Sequence, residues 1–394
     1  MEEAASTIAP LMTPLAIRGL RIENRLTMAP MTRSFCPDGL PNQANVDYYS
    51  RRAEGGAGLI VTEAIGTDHP AACGDAGLGE TDLPYLSGPE SAAAWAKVVD
   101  GVHKAGGRIL PQVGHQGPLR MPGSKPRPDV LSFSPSGYYG DPATADPSYR
   151  DKAEILSKPT PVPTDADIVE VIDSFERAAH RVVEAGFDGF ALHGAHGYLI
   201  DSFLWAETNR RSDRWGGNAR ERTRFAVEIV KRVRAVIGED RPIFYRFSQW
   251  KQQDYRARLA ETPEELEMIL GPLADAGVDL FDASVRYFDT PAFAGSELSL
   301  AGWAEKLTGK LSGAVGGVGF TKGMYDTVDL KGMTVKATEQ GANNLHLVLK
   351  RFERGEFDIV SVGRAMLSDP DWARKAKAGH AFSPFDMAAL KELR

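Results

Sequence analysis

The sequence predicts an α/β fold in which eight parallel strands and their helices form a closed (β/α)8 TIM barrel. Two observations support this prediction: short apolar segments recur along the 394 residues, and helix-like segments lie between them. Strands that alternate with helices form a parallel sheet, and eight such units in one chain favour closure. The alternative is an open doubly wound sheet, but its usual G-x-G-x-x-G after the first strand is absent.

The predicted barrel strands are short apolar runs that end in polar or small residues. They are Leu26–Ala29, Leu59–Glu63, Arg108–Gln112, Gly189–His193, Pro242–Arg246, Leu280–Ser284, Ser312–Gly316 and Asp358–Gly363. Buried parallel strands read as near-continuous apolar runs, which these segments do. The segment LAIRGLRIENR before the first strand predicts a hairpin that plugs the bottom of the barrel.

Helical spacing of apolar residues marks the segments between the strands. The predicted helices are Ser91–Lys104, Asp165–Ala185, Thr223–Ile237, Thr262–Ala276 and Leu345–Phe352. Thr164 is expected to cap the second of them at its N-terminus, and Gly186 and Gly277 are expected at helix C-termini.

Residues 120–163 interrupt the alternation, since they are rich in Pro, Gly, Ser and Tyr and show no helical period. A loop of this length inside a compact domain is usually functional or disordered. Because it follows the third strand, we expect a capping insertion or lid over the C-terminal face of one barrel domain spanning residues 1–394. The alternative is a floppy insertion.

Composition and charge narrow the possible classes of protein. The net charge of −7 disfavours nucleic acid and anionic membranes as partners. The two cysteines form no C-x-x-C pair, and the N-terminus resembles no secretory signal. Without a run of 18 apolar residues, we expect a soluble, cytoplasmic protein, either a monomer or a homodimer.

Glycines and one arginine follow the last two predicted strands, where barrels commonly bind phosphate. Gly316 ends the seventh strand and Gly317 and Gly319 follow it, while Gly363 ends the eighth and Arg364 follows. Backbone N–H groups and a guanidinium suit a phosphate dianion, although glycines alone also serve tight turns. A sugar phosphate would suit this site as well as a cofactor phosphate does.

The segment HGAHGY after the fourth strand brings His193, His196 and Tyr198 together. Two imidazoles are able to polarise one substrate oxygen, and a tyrosine is able to deliver a proton. One alternative is a metal site, but catalytic zinc usually takes three protein ligands and Asp201 is the remaining acid of this segment. The other alternative is a pair of satisfied core histidines.

Arg246 and Gln112 end two further strands. A buried strand seldom contains an arginine without a partner, so Arg246 either pairs inside the barrel wall or neutralises a bound anion or electron-rich ring. Gln112 offers a donor and an acceptor that suit a heterocyclic amide edge, or it is a satisfied buried amide.

Several motifs resemble the Old Yellow Enzyme flavoproteins, the NADH:flavin oxidoreductases. They are NRLTMAPMTR, YYSRRAEGGAGLIVTEA, AGFDGFALHGAHGYLIDSFLWAETNRRSDRWGGNARERTRF and FDIVSVGRAMLSDPDW. The resemblance covers nearly the whole chain. It implies a barrel that binds FMN non-covalently, takes hydride from NADPH or NADH, and passes hydride from flavin N5 to the β-carbon of an activated alkene.

The resemblance also implies roles for individual residues. His193 and His196 would bind the carbonyl or nitro oxygen of the substrate, and Tyr198 would protonate its α-carbon. The implied flavin contacts are Pro30, Met31, Thr32, Ala64, Gln112, His193, Arg246, Gly317, Gly319, Gly363 and Arg364. We expect Tyr287 and Phe288, after the sixth strand, either to wall the substrate pocket or to pack as ordinary loop aromatics.

One departure from the family pattern is Pro118, which stands in HQGPL where the family often has arginine. Two other functions remain as alternatives: a metal-dependent barrel lyase or hydrolase, and a catalytically idle flavin-binding protein.

Overall fold

The apolar runs of the sequence pair side by side as parallel strands and close into a barrel. The computed structural model describes residues 8–77, 79–145, 150–320, 328–329, 334–335 and 344–394. The strands are β1 (Leu15–Ile17), β2 (Leu20–Ile22), β3 (Leu26–Met28), β4 (Leu59–Gly66), β5 (Ile109–Gly114), β6 (Phe190–His193), β7 (Ile243–Phe247), β8 (Leu280–Ser284), β9 (Leu311–Val315), β10 (Val328–Asp329), β11 (Thr334–Val335) and β12 (Ile359–Val362). The barrel contains β3 to β9 in chain order, and β12 closes it between β9 and β3.

Helices surround the barrel and connect its strands. The described α-helices are α1 (Gln43–Glu54), α2 (Gly88–Lys104), α3 (Arg150–Leu156), α4 (Asp165–Glu184), α5 (Leu199–Leu204), α6 (Arg224–Ile237), α7 (Pro263–Ala276), α8 (Leu300–Thr308), α9 (Leu345–Phe352), α10 (Arg364–Ser368) and α11 (Trp372–Ala378). Short 3-10 helices lie at Ala9–Met12, Pro37–Gly39, Gly117–Leu119, Pro142–Thr144, Glu221–Thr223 and Met387–Leu390. The structure therefore confirms the predicted barrel and its five predicted helices.

The sequence prediction ended two strands earlier than the structure does. β4 and β5 continue to Gly66 and Gly114, because their pairing resumes at Ala64 and Gln112 after a register shift. Ala64 and Gln112 thus lie within strands rather than at or beyond their ends. The shift lets the upper part of both strands reach the C-terminal rim, where the functional residues of such barrels lie.

The N-terminal hairpin plugs the barrel bottom, as predicted. β1 and β2 pair antiparallel. Ile17, Leu20 and Ile22 are buried in one apolar cluster with residues that begin the barrel strands, such as Leu59 and Leu280. Water is therefore excluded from the N-terminal end of the barrel, and the polar rim lies at the other end.

Helix termini follow the predicted capping chemistry. The Thr164 side chain accepts a hydrogen bond from the N–H of Asp167, whose carboxylate accepts one in return from Thr164 N–H. Gly186, just beyond α4, has φ of 82°. Gly277 ends α7 in the left-handed region with φ of 119°. Thr164 and Gly186 thus mark the two ends of α4, and Gly277 marks the end of α7.

The insertion of residues 120–163 is ordered where the structure describes it. It contains the helix α3, which the prediction of a segment without helical period missed. Its Tyr139, Ala153 and Leu156 form a small apolar cluster that Tyr198 packs against. Whether the insertion acts as a cap over the C-terminal face stays a prediction.

No helix among the described residues is both long enough and apolar enough to cross a membrane.

Candidate active site

Two neighbouring cavities open on the C-terminal rim of the barrel. The first, which we call the arginine cleft, is lined by Pro30, Met31, Arg246, Trp250, Arg286, Gly316, Gly317, Gly363 and Arg364 among others. The second, which we call the histidine cavity, is smaller and is lined by Thr32, Ala64, Cys73, Glu80, His115, His193 and Tyr198 among others. Met31 and Thr32 are consecutive, and His193 pairs in register with Arg246, so the two cavities adjoin.

The arginine cleft concentrates positive charge in a protein whose net charge is −7. Three guanidinium groups, from Arg246, Arg286 and Arg364, line it. The Arg364 guanidinium lies over the Phe320 ring, 4.2 Å from its centroid. Such a cleft is suited to a ligand that carries a phosphate.

Arg246 forms the ion pair inside the barrel wall that was one of the two alternatives predicted for it, while neutralisation of a bound anion or ring stays a prediction. Its Nε donates to Oδ2 of Asp282 at 2.7 Å within the barrel wall. Its Nη2 also lies 2.6 Å from that oxygen, but this atom has no well-aligned hydrogen bond in the described structure. One edge of the guanidinium is therefore held by Asp282, while the arginine still lines the cleft and is able to bind an anionic ligand.

A single asparagine, which was not predicted from the sequence, shapes the loop after β9 that contains Gly317 and Gly319. Asn344 donates to the carbonyls of Gly317 and Phe320 at 2.9 and 3.0 Å and accepts from the N–H of Gly319 at 2.9 Å. Gly317 has φ of 71°, which favours glycine. Gly319 therefore acts through loop shape here, since its N–H is already engaged by Asn344.

The imidazole rings of His193 and His196 are perpendicular, with centroids 5.2 Å apart. His193 is buried, and its Nδ1 has no hydrogen-bond partner among the described residues. His196 has φ of 66°, stacks on Trp250 and places Nε2 at 2.7 Å from Ser284 Oγ. His193 is thus not a core histidine with all its polar atoms satisfied by hydrogen bonds, and it lines the histidine cavity, whereas His196 lines neither cavity.

Both histidines are uncharged at neutral pH. Burial, followed by the positive charge of Arg246, lowers the pKa of His193 to about 3. Burial is also the largest cause that lowers the pKa of His196 well below its usual value, and His193 and Arg246 add to it. A neutral imidazole has one N–H donor and one acceptor nitrogen, so each ring is able to donate a single hydrogen bond to a ligand.

Tyr198 stands beside His193, with ring centroids 4.7 Å apart. The side-chain amide of Gln252 donates a hydrogen bond to the Tyr198 hydroxyl at 3.0 Å. That bond fixes the position of the hydroxyl oxygen beside His193. Gln252 lies in the loop after β7 and was not identified from the sequence.

A buried ion pair holds the turn after β6, which contains Gly197. Lys251 Nζ lies 2.7 Å from Asp201 Oδ1, and both side chains are 0% exposed. The other oxygen of Asp201 accepts from the N–H of Gly197 at 2.7 Å. Asp201 is therefore occupied and is not a third metal ligand beside the histidines. The described residues also contain no cluster of three or more His, Cys, Asp or Glu side chains able to hold a metal ion.

Replacement of Lys251 by methionine is expected to destabilise the protein by about 3–5 kcal/mol, because it leaves a buried carboxylate without its partner. Urea unfolding of the apo-protein measures this loss. The matched control is Arg177→Met, which breaks solvent-accessible pairs with Asp68 and Glu170 and is expected to cost about 1 kcal/mol or less. Equal losses in the two variants would contradict the assigned importance of the buried pair.

The structure does not bring every predicted residue to the cavities. Phe288 is buried in the main hydrophobic core, and Tyr287 packs near Gly317; neither lines the histidine cavity or the arginine cleft. The burial of Phe288 agrees with the packing interpretation, while a role of Tyr287 at the substrate pocket stays a prediction. Gln112 is buried beside Ala64 in the barrel wall and lines neither cavity.

Comparison with known proteins identifies the family. Residues 10–382 match the NADH:flavin oxidoreductase / NADH oxidase family. An NADH oxidase of Thermoanaerobacter brockii is 32% identical over 371 residues, which is 92% of this chain and 50% of that protein. The 12-oxophytodienoate reductase 7 of Oryza sativa subsp. japonica is 31% identical over 92% of this chain and 86% of its own length. The chain belongs to the NADH:flavin oxidoreductase / NADH oxidase family.

Solved structures confirm the resemblance to Old Yellow Enzyme. An Old Yellow Enzyme homologue from Zymomonas mobilis superposes with a TM-score of 0.74 at 23% identity, covering 96% of both chains, and this identity shows the fold alone. Morphinone reductase in complex with tetrahydroNAD gives a TM-score of 0.74 at 25% identity, covering 96% of this chain and 93% of that one. The chain spans about half the length of the NADH oxidase. Membership of this family supports FMN as cofactor and a nicotinamide as reductant.

Proposed function

We propose that this protein is an FMN-dependent ene-reductase that consumes NADPH or NADH and reduces activated alkenes, either α,β-unsaturated carbonyl or nitro compounds. The observation that carries the proposal is the placement of His193 and Tyr198 in a small cavity that adjoins the arginine cleft, with the His196 ring 5.2 Å from that of His193. A cavity with neutral hydrogen-bond donors and a proton source suits a substrate whose oxygen gains charge during the reaction.

The arginine cleft has the properties that FMN requires. Gly317, Gly363 and Arg364 would bind the phosphate, Pro30 and Met31 would line the ring system, and Thr32 and Ala64 would contact its edge on the side of the histidine cavity. Arg246 retains an unaligned Nη2 for the electron-rich part of the ring. When bound, FMN accepts hydride from the nicotinamide and supplies it to the β-carbon of the alkene.

The two histidines would hold the substrate oxygen. Hydrogen bonds from His193 and His196 become stronger as that oxygen gains negative charge, which is how preorganised donors lower a barrier. For His196, the contact with Ser284 allows Nε2 to accept the serine proton and leaves the ring proton on Nδ1. Because both rings are neutral, they polarise the substrate without giving up a proton.

Tyr198 would then protonate the α-carbon. Its hydroxyl is held by Gln252 and is placed beside His193, within the same cavity as the substrate oxygen. The apolar cluster of the insertion packs against Tyr198 and excludes bulk water from that side. A shielded tyrosine delivers a proton to carbon in competition with solvent, which an exposed one does poorly.

Replacement of Arg364 by alanine is expected to weaken FMN binding about tenfold or more, because a charge-assisted hydrogen bond to the phosphate is lost. Fluorescence titration of the apo-protein with FMN measures the change. Arg354→Ala is the matched control, since the Arg354 side chain is 51% exposed and lies outside the cleft. Equal affinity in Arg364→Ala and the wild type would contradict the phosphate assignment.

Turnover tests the proposed function itself. The FMN-loaded protein, given NADPH or NADH, is expected to convert 2-cyclohexenone and a nitroalkene to saturated products in a reaction that stops when FMN is removed. Protein that takes up no FMN and acts only with a divalent metal would instead be the lyase or hydrolase. Protein that binds FMN but is neither reduced by a nicotinamide nor reoxidised by an alkene would be the idle flavin binder.

A further inference from the structure

The histidine cavity contains a carboxylate that the proposed function does not use. Glu80 lines this cavity from the loop after β4, whereas His193 lines it from the end of β6 and Tyr198 from the turn that follows. A substrate oxygen bound by the histidines would place the remainder of the molecule in a space that Glu80 also borders. Because Glu80 lies in a loop, its position at the cavity could not be predicted from the sequence.

The loop holds Glu80 in place by a local network. Asp75 Oδ1 accepts hydrogen bonds from the N–H groups of Gly77, Gly79 and Glu80 at 2.7, 2.9 and 3.2 Å. One oxygen of the Glu80 carboxylate accepts from the N–H of Ala76 at 3.1 Å. The carboxylate is therefore positioned by backbone groups on one side and has the cavity on the other.

No described cation pairs with Glu80 in the folded chain. The described structure contains no lysine, arginine or histidine nitrogen within 4.0 Å of its carboxylate, although Lys152 on α3 lies close enough to influence it. The other residues around it in the cavity include apolar side chains, such as Ala72 and Leu83, and the Cys73 thiol. A carboxylate among such groups gains most from a ligand that brings its own donor or positive charge.

We propose that Glu80 selects the substrate class: an activated alkene that carries a protonated amine, or another strong hydrogen-bond donor, at the end away from its carbonyl or nitro group. This inference rests on the proposed function and narrows it. The histidines would bind the oxygen at one end, and Glu80 would bind the donor at the other. Glu80 is a specificity residue in this account and takes no part in the transfer of hydride or proton.

The ionisation of Glu80 makes this selectivity depend on pH. Burial, with Asp75 and Glu63 as further causes, raises the pKa of Glu80 to about 7, while Ala76 N–H and Lys152 oppose the rise. The other titratable groups of the cavity stay neutral near pH 7, because burial lowers the pKa of His193 to about 3 and of His115 well below its usual value, and raises that of Cys73 to about 12. The preference for a cation should therefore increase as pH rises through 7.

Two nearly isosteric phenols test the proposal. Tyramine carries an ammonium group where 4-ethylphenol carries a methyl group, and the phenol oxygen of either is a ligand for the histidines. Calorimetric titration of the FMN-loaded protein at pH 8 is expected to show that tyramine binds about tenfold tighter. The ratio of the two affinities should fall at pH 6 and approach one in Glu80→Gln. In the control Glu90→Gln, which removes an exposed carboxylate of α2, the wild-type ratio should persist.

The outcomes separate this inference from the proposed function. If 4-ethylphenol binds and 2-cyclohexenone is reduced, but the ratio of the tyramine affinity to the 4-ethylphenol affinity is no higher at pH 8 than at pH 6, the role of Glu80 is wrong and the ene-reductase stands. If neither phenol binds and no alkene is reduced, the proposed function fails and the role of Glu80 fails with it. Comparison of the two affinities of the wild-type protein at pH 6 and pH 8 tests the role of Glu80 even if Glu80→Gln does not fold.

Discussion

Tyr198→Phe is expected to slow alkene reduction about 10²- to 10⁴-fold, the range that general acid catalysis contributes. Phenylalanine keeps the ring beside His193 and removes only the hydroxyl that Gln252 holds. Reduction of the flavin by the nicotinamide needs no proton from this residue, so its rate should change little. Anaerobic stopped-flow measurement of the two half-reactions provides both rates.

The control for this variant is Tyr139→Phe. Tyr139 lies in the apolar cluster of the insertion that packs against Tyr198, and its hydroxyl has no hydrogen-bond partner among the described residues. Loss of that hydroxyl should leave both half-reactions close to the wild type. If Tyr198→Phe slowed both half-reactions equally, the residue would be a structural support of the site and not the proton donor.

His193→Ala is expected to slow alkene reduction about 10²- to 10³-fold, the usual effect of removing one donor from an oxyanion site. The variant should also weaken phenol binding, since the same donor holds the phenol oxygen, while FMN content should fall little. Because burial and Arg246 lower the pKa of His193 to about 3, the loss should be the same at pH 6 and pH 8.

His180→Ala, on the exposed face of α4, is the matched histidine control and should behave like the wild type. Turnover in His193→Ala at the wild-type rate would mean that the histidine pair does not hold the substrate oxygen. A loss that appeared only at acidic pH would indicate that a charged imidazole is used, contrary to the neutral state inferred here.

Local signals in the sequence were enough to predict the framework of the site. Apolar runs gave the barrel strands, because strands buried on both faces are apolar along their whole length. The threonine at 164 and the glycine at 277 marked helix ends, because capping depends on neighbouring backbone groups alone. The grouping of the site residues could be predicted once the barrel was predicted, because the C-terminal ends of all its strands lie at one rim.

Contacts between residues distant in the sequence could not be predicted in this way. Asn344 shapes the loop at Gly317 from 27 residues further on, and Lys251 meets Asp201 across 50 residues. Whether a polar side chain finds a partner depends on which loops the closed barrel brings together. The aromatics after β8 show the same limit, because Phe288 joined the core for reasons of packing that its neighbours in the sequence do not reveal.

Arg120 is a buried arginine that lies two residues after the position at which this chain departs from the family pattern. Pro118 replaces the arginine often found in that loop, but Arg120, two residues later, is fully buried. Its guanidinium donates to the backbone carbonyls of Cys73, Ser124, Arg127 and Val130. It thereby joins the start of the capping insertion to the loop that carries Glu80.

The central claim is that the rim directs hydride to one carbon of a bound alkene and the Tyr198 proton to the next. Isotope placement tests it most directly. With a nicotinamide dideuterated at C4, NMR of the product from 2-cyclohexenone should show deuterium at the β-carbon; with unlabelled nicotinamide in D2O, it should show deuterium at the α-carbon. Nicotinamide-derived deuterium at the α-carbon, or a product that takes up no solvent deuterium there, would contradict the account.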